Sequence, residues 1–385
     1  GRWGGFLDGH DLFDPDAFRL TPAEAAAMSP QQRVFLEGAW HALEDAGYGR
    51  EELEGRAVGL FVGVAPDGYG GDRADARSSL GDSNAILSAR LAYLLDLKGA
   101  ALPIDTACSS SLVAVHMAAR ALIDGDLDMA LAGGVSILMR GPRLHAFLAD
   151  SGMASPTGRC RAFDAGADGF VPGEGMGVVV LKRLDRAGAD GDAVIAVLKG
   201  SGVNQDGRTS GITAPSGPAQ TALIRRVMSR HGLDPAAVGL VEAHGTGTRL
   251  GDPIEVNALA RAYGPSGGPT PIGSVKSNIG HTLTAAGIAG FIKAALAVRV
   301  GIIPPSLHFE HANPELDLTA GRFRVPVRAE PWSAPDGRPR IAAVSSFGFS
   351  GTNAHAVLAQ APDRPEPRFA PGPRPIVLSA RSPEQ

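Results

Sequence analysis

Ala101-Leu102-Pro103-Ile104-Asp105-Thr106-Ala107-Cys108-Ser109-Ser110-Ser111-Leu112 is the stretch that decides the fold. Ala101 to Ile104 is a short apolar run of strand length, Asp105 to Cys108 is a polar turn, and from about Ser109 the apolar spacing becomes helical as far as Ile123, closing near Gly125. Strand, turn and helix in that order is the grammar of an α/β protein, which gathers its chemistry at the carboxyl ends of strands. The plan returns twice. Leu240 to Ala243 runs into His244-Gly245-Thr246-Gly247-Thr248. Ile272 to Val275 runs into Lys276-Ser277-Asn278-Ile279-Gly280-His281, followed by a small-residue helix from about Thr284.

Working outward, Thr21-Pro22-Ala23-Glu24 is a capping box with proline at the first helical position, and Ser29-Pro30-Gln31-Gln32 repeats that logic. The helix that follows puts Leu36, Ala39, Trp40 and Leu43 on one face and stops at Gly47. Ala57 to Val64 fits a buried strand, and Val178 to Leu181 and Ala356 to Leu358 read as buried strands that end two halves. Residues 50–185 and 195–360 loosely repeat one another. From Ala361 the last 25 residues hold seven prolines, the composition of a semi-rigid linker.

The 385 residues are 44% hydrophobic and 20% charged, which is globular composition. A formal charge of −4, with no block of like charge, argues against a nucleic-acid partner. The start, Gly1-Arg2-Trp3-Gly4-Gly5-Phe6, lacks the pattern of a signal peptide. Two cysteines make no disulfide framework, so the expected compartment is a reducing cytoplasm. Ala285 to Pro304 is the longest apolar stretch, but Lys293 and Arg299 interrupt it, and it reads as a buried helix with no role in a membrane.

Cys108 stands where a helix begins. An ordinary thiol has a pKa of ~8.5 and is mostly protonated near neutrality. A helix N-terminus contributes roughly 0.3–1 kcal/mol, too little to lower that pKa by even one, so strong activation needs further help. Of the 10 histidines, His41, His116 and His231 sit in helical stretches. His244 and His281 instead end apolar strands beside glycines that allow close backbone approach. Two such histidines and a cysteine in an equivalent turn favour a catalytic cluster; the rival, a zinc site, lacks any Cys-x-x-Cys or His-x-x-x-His anchor. Ser345-Ser346-Phe347-Gly348-Phe349-Ser350-Gly351-Thr352-Asn353 follows an apolar run and can aim backbone N–H groups at one point, as an oxyanion hole requires, or be a plain tight turn. Cys160 lies in a polar run and reads as structural. Gly173-Glu174-Gly175-Met176-Gly177 leads into a strand, not a helix, which argues against a phosphate loop.

Asp105 to Leu112 resembles the nucleophile motif of polyketide ketosynthases, Glu242 to Thr248 their first histidine motif, and Lys276 to His281 their second. Phe347 to Asn353 is similar to the family's glycine-rich gate turn, and the four motifs stand in family order along nearly the whole chain. The resemblance implies a thiolase-like fold of five layers, α-β-α-β-α, made from two similar halves, and a homodimer. It implies a β-ketoacyl synthase that joins a Cys-bound acyl chain to a malonyl-type extender by decarboxylative Claisen condensation. Cys108 would be the nucleophile, His244 and His281 would assist decarboxylation and stabilise the enolate, and Lys276 would orient the site. The backbone N–H groups of Cys108 and Phe349 would form the oxyanion hole with the Phe349 ring as gate, and Thr246 and Thr248 would bind phosphopantetheine. The partners implied are an acyl carrier protein, acyl and malonyl thioesters, and neighbouring domains of a multidomain synthase. No metal and no cofactor of this chain's own is expected, since the carrier supplies the pantetheine.

The same resemblance places a ketosynthase domain at residues 1–360, a nucleophile half to about 193 and a histidine half from about 194, with a post-ketosynthase linker at 361–385. The family has a strand and helix ahead of the Gly4-Gly5-Phe6 region, so the domain is expected to be N-terminally incomplete. Gly290 stands where fatty-acid-type relatives carry a glutamate and matches the polyketide branch; residues 202–213 look closer to modules served by a separate acyltransferase. Two other readings stay open: a ketosynthase that passes acyl chains on without elongation, and a non-catalytic dimer scaffold. An intact His244 weighs against the first and an intact triad against the second.

Overall fold

A computed structural model of the chain describes residues 3–71, 75–139, 141–316, 318, 322–333 and 337–363. The first half carries helices α1 (Pro22–Ala27), α2 (Pro30–Asp45) and α3 (Arg50–Leu53), then strand β1 (Val58–Gly63). Helices α4 (Ala76–Asp82) and α5 (Asn84–Leu95) lead to β2 (Ala101–Ile104), α6 (Ser110–Asp124), β3 (Met129–Ser136), α7 (Gly141–Asp150) and β4 (Gly175–Leu181). After α8 (Leu184–Asp190) come β5 (Ala196–Gln205), α9 (Gly217–Arg230), β6 (Leu240–Glu242), α10 (Gly251–Tyr263) and β7 (Thr270–Gly273). Next are α11 (Lys276–Ile279), α12 (Ala286–Val300), the short strands β8 (Ile302–Ile303), β9 (Phe323–Arg324) and β10 (Glu330–Pro331), then β11 (Ile341–Phe347) and β12 (Thr352–Gln360).

The elements follow from local chemistry. Thr21 accepts the Glu24 N–H while the Glu24 carboxylate takes the Thr21 N–H, closing the capping box of α1. Ser29 caps α2 by accepting the Gln31 N–H, without the reciprocal half of a capping box, because the Gln32 side chain donates instead to the Leu80 and Ser83 carbonyls. Gly125, with φ +84°, ends α6 in the left-handed region where a glycine is unstrained.

In the first sheet the order is β2-β1-β3-β4, with β1 parallel to β2 and β3, and β4 antiparallel to β3. In the second the order is β5-β12-β11-β6-β7-β9. There β6 is parallel to β7 and β11, and β12 is antiparallel to β11. The quartets β1, β2, β3, β4 and β6, β7, β11, β12 therefore share one order and one polarity, and the loose repeat in the sequence is a structural duplication. Helices α2 and α5 cover the outer face of the first sheet, α6 and α12 lie between the sheets and touch both, and α9, backed by α10, covers the far face of the second. These are the five layers α-β-α-β-α of a thiolase-like fold.

Each layer boundary has its own apolar core. Leu112, Val115, Ile288, Phe291 and Val344 pack in the central layer. Leu36, Leu60, Leu91 and Leu131 pack on one side of it, and Leu223, Val227, Val241 and Ile272 on the other. Burying each such side chain contributes about 1.5–3 kcal/mol. The central helices meet at their N-termini, where a Cβ on Gly287 would lie 2.8 Å from the Leu112 backbone nitrogen. Ser111 Oγ accepts the Ile288 N–H there at 2.9 Å. Gly287→Val is expected to cost about 1–3 kcal/mol through overpacking, read as a lowered midpoint in thermal denaturation.

Two sequence expectations need correction. Val178 to Leu181 is not a buried strand: β4 begins three residues earlier at Gly175 and is half-exposed along most of its length, because it stands at the edge of its sheet. The helix expected from Thr284 starts as a 3₁₀ turn over Leu283–Ala285 and becomes α-helical at Ala286. The helical stretch Leu283–Val300, made of that 3₁₀ turn and α12, is long and apolar enough to cross a membrane, but most of it is buried inside the protein. The proline-rich tail lies outside the described residues from 364 onward.

Candidate active site

Cys108 sits between the end of β2 and the start of α6, 7% exposed. The turn that delivers it is tightly held. Ala107 adopts φ +57°, a left-handed conformation that a non-glycine residue takes at a cost of about 1–2 kcal/mol. The Thr106 N–H donates to Ser110 Oγ at 2.9 Å, and Ser346 Oγ on β11 donates to the Cys108 carbonyl at 2.8 Å. Burial pushes the Cys108 thiol up to about 11; the Lys276 ammonium and the backbone N–H groups of Phe349 and of Cys108 itself pull the other way.

His244 lies two residues beyond the end of β6 and His281 two residues beyond the end of α11, and their rings stand edge to face with centroids 5.5 Å apart. His281 also meets the Phe170 ring, at 4.8 Å, and His244 meets Phe347. His244 Nδ1 accepts the Phe347 N–H at 3.3 Å, and His281 Nδ1 accepts the Leu283 N–H at 3.2 Å. A backbone N–H can only donate, so in each neutral ring the proton lies on Nε2. Burial holds both imidazoles well below their ordinary pKa, and the nearby Lys276 ammonium adds to it. The pair is therefore neutral near pH 7 and offers two Nε2–H donors. In that tautomer neither ring is a ready base for the thiol.

Lys276 is 4% exposed at the start of α11. Burial lowers its pKa, Glu242 and Glu255 oppose that, and among the described residues its ammonium makes no ion pair. Phe349 lies in the turn between β11 and β12, half-exposed, with its N–H toward Cys108. Gly348 beside it has no room for a side chain: a Cβ would stand 2.3 Å from the Thr106 carbonyl oxygen. Thr246 and Thr248 share a hydroxyl–hydroxyl bond of 3.1 Å, and Thr248 also accepts the Gly251 N–H at the start of α10. Thus the two histidine rings meet each other, Cys108 meets the Phe349 N–H, and Cys108, His244 and His281 all feel the Lys276 ammonium. Thr246 and Thr248 stand on the His244 turn.

Sequence reading missed the groups that hold these turns in place. Glu255 on α10 takes the N–H of His244 on Oε1 at 2.7 Å and that of Gly245 on Oε2 at 2.8 Å. Asp252 takes the N–H of Phe163 at 2.7 Å and of Gly247 at 3.1 Å. Glu242 takes the N–H of Val275 at 2.7 Å. All three carboxylates are buried, and a carboxylate whose target lies on another element leaves no periodic signal in a sequence. Burial raises Asp252 to about 6 and Glu255 to about 7. Their folded pKa values exceed the ordinary values of ~4, so the stability they contribute is complete below that pH and is lost as pH rises through 6 to 7. Glu255→Gln turns one acceptor into an NH₂ facing a backbone N–H; we expect a loss of about 1–3 kcal/mol by thermal denaturation, with the fall in activity following it.

Cys160 is buried and its sulfur accepts the Val171 N–H at 3.2 Å, which fits the structural reading; burial pushes its thiol up to about 11. Gly290 packs against Glu242, where a Cβ would lie 3.1 Å from Glu242 Cγ. A carboxylate thus does border position 290, but it arrives from β6.

Comparison with known proteins gives three family matches. "Beta-ketoacyl synthase, N-terminal domain" covers residues 1–187, "Beta-ketoacyl synthase, C-terminal domain" 195–310, and "Ketoacyl-synthetase C-terminal extension" 312–385. The chain is 52% identical over 365 residues to a phenolphthiocerol/phthiocerol polyketide synthase of Mycobacterium tuberculosis, covering 93% of this chain and 24% of that protein. It matches the ketosynthase from module 6 of the bacillaene synthase of Bacillus subtilis with a TM-score of 0.89 and 46% identity, over 93% of this chain and 64% of that one. It matches the oxazolomycin ketosynthase domain OzmH KS7 of Streptomyces albus with a TM-score of 0.90 and 43% identity, over 99% and 68%. The chain spans between a tenth and a quarter of the length of the curated relatives it matches.

Proposed function

The chain belongs to the beta-ketoacyl synthase family, with the fold of polyketide ketosynthase domains, and from that premise we propose that it elongates a Cys108-bound acyl chain with a malonyl-type extender presented on an acyl carrier protein. The observation that carries the reading is the tautomer of the histidine pair: two neutral rings, each with Nδ1 occupied by a backbone N–H, offer two Nε2–H donors beside the buried thiol.

The chemistry runs in two halves. Cys108, whose ionisation burial opposes and the α6 N-terminus, the Lys276 ammonium and the Phe349 N–H favour, attacks as thiolate the carbonyl carbon of an acyl thioester, its proton ending on the departing pantetheine sulfur. The oxyanion that forms is held by the N–H groups of Cys108 and Phe349, and its collapse expels the pantetheine thiolate and leaves an acyl-Cys108 thioester. The malonyl thioester then binds, its arm placed by Thr246 and Thr248. Loss of CO₂ leaves the bond's electron pair on the α-carbon as an enolate, whose oxygen receives the Nε2–H groups of His244 and His281. The enolate carbon attacks the acyl-Cys108 carbonyl, the same two backbone N–H groups hold the second oxyanion, and collapse returns the Cys108 thiolate with release of the β-ketoacyl thioester. In this reading the ketosynthase domain spans residues 1–360 and residues 361–385 are a linker.

A homodimer fits the surface. β2 is the last strand of the first sheet, its outer edge unpaired among the described residues, with Leu102 exposed between the flanking helices that carry exposed Tyr93 and Met117. Leu102→Glu should shift sedimentation from dimer to monomer. The function itself is tested by CO₂ release from malonyl-carrier protein. Release that depends on prior acylation of Cys108 and yields a β-ketoacyl product supports elongation; acylation without CO₂ release moves the assignment to acyl transfer alone.

A further inference from the structure

Glu242 is the last residue of β6 and is 1% exposed, two positions before His244. Its Oε1 accepts the Val275 N–H at 2.7 Å, and its Oε2 lies 2.7 Å from the Nζ of Lys293, a half-buried residue on α12. Gly290 makes room for the pair: a Cβ there would stand 3.1 Å from Glu242 Cγ. Val275 is the residue at which β7 gives way to α11, so its N–H is the handle on the turn that carries Lys276 and then delivers His281. Resting on the function proposed above, we infer that Glu242 and Lys293 form a buried positioning pair that grips the Val275–Lys276 turn and thereby fixes where the Lys276 ammonium stands relative to Cys108.

The energetics favour a positioning role over a purely stabilising one. Desolvating two charges costs several kcal/mol per ion, and buried pairs replaced by apolar residues often leave stability unchanged or raised. What an apolar pair cannot supply is an acceptor for the Val275 N–H. The Lys276 ammonium, in turn, is surrounded by Glu242, Glu255, Cys108 and Cys160, with His244 and His281 feeling its charge. A displacement of the turn therefore reaches the nucleophile and both histidines at once. A shift of about 1 Å in a catalytic group can cost on the order of 100-fold in rate.

Two double variants of the full chain separate grip from charge. E242Q/K293M removes both charges and keeps an acceptor oxygen for Val275; E242M/K293M removes both charges and the acceptor. Two readouts are taken with melting temperature: the pH profile of Cys108 alkylation, which needs no turnover, and the rate of malonyl decarboxylation. We expect E242Q/K293M to stay within about 3-fold of wild type, and E242M/K293M to show an alkylation profile displaced to higher pH and a kcat lowered about 10–100-fold at little change in KM. Wild-type behaviour of a folded E242M/K293M overturns the inference. So does a tenfold loss in E242Q/K293M at an unchanged melting temperature, and that variant decides alone if E242M/K293M fails to fold. If the wild-type chain shows no decarboxylation at all, the function is at fault, while the alkylation profiles still judge the pair.

Discussion

On the proposed function, Cys108→Ala is expected to abolish acyl transfer and elongation, by a factor of about 10⁴ or more, while the protein stays folded. The loss is large because no second nucleophile can take over: Cys160 is buried with its sulfur engaged by the Val171 N–H, and the nearest hydroxyls are spent. Ser346 Oγ donates to the Cys108 carbonyl, and Ser109 and Ser110 Oγ donate to backbone carbonyls within the turn. The fold survives because the turn is held through backbone atoms and those serines, not through the thiol. Peptide mapping after incubation with an acyl thioester, paired with a thermal melt, checks both halves of this expectation.

His281→Ala separates the two halves of the reaction. In the proposed mechanism the Nε2–H donors act on the enolate, a species that exists only after CO₂ has left, so decarboxylation should fall by about 10²–10³. Acylation of Cys108 should change far less, since the oxyanion donors proposed for that step are the N–H groups of Cys108 and Phe349. His281 packs its ring on Phe170 and accepts the Leu283 N–H, so the variant also loosens the 3₁₀ turn ahead of α12. His281→Asn offers an amide oxygen to Leu283 and an NH₂ to the substrate; recovery of part of the rate with it would tie the defect to the lost donor. Single-turnover acylation and CO₂ release, measured on the same preparations, give the two rates.

Much of this arrangement is legible in the amino-acid sequence alone. The helix from Ser109 and its stop at Gly125 can be read from periodicity and one glycine, because both obey local rules. The two histidine turns stand out because each ends an apolar run beside glycines, and Gly245 and Gly247 do take positive φ there. What periodicity cannot supply is the pairing of distant elements. That β4 is an edge strand depends on what lies beside it, and an apolar run of four residues looks alike at an edge and in the middle of a sheet. The roles of Glu242, Asp252 and Glu255 are invisible for the same reason. Asp252 and Glu255 read as the ordinary acidic residues of a helix start, until folding sets them against the backbone of the His244 turn. The tautomer of each histidine is a tertiary fact as well, decided by the N–H of Phe347 in one case and of Leu283 in the other.

Everything proposed for the site turns on Cys108 carrying the acyl chain and on the same site then elongating it. Intact-protein mass spectrometry of the full chain tests both in one series: a short acyl-thioester donor first, then malonyl-carrier protein. The expected result is one added acyl mass, mapped to Cys108, which disappears on addition of malonyl-carrier as an extended β-ketoacyl-carrier appears. An acyl mass on another residue, or an acyl-Cys108 that persists while malonyl-carrier stays intact, would contradict it.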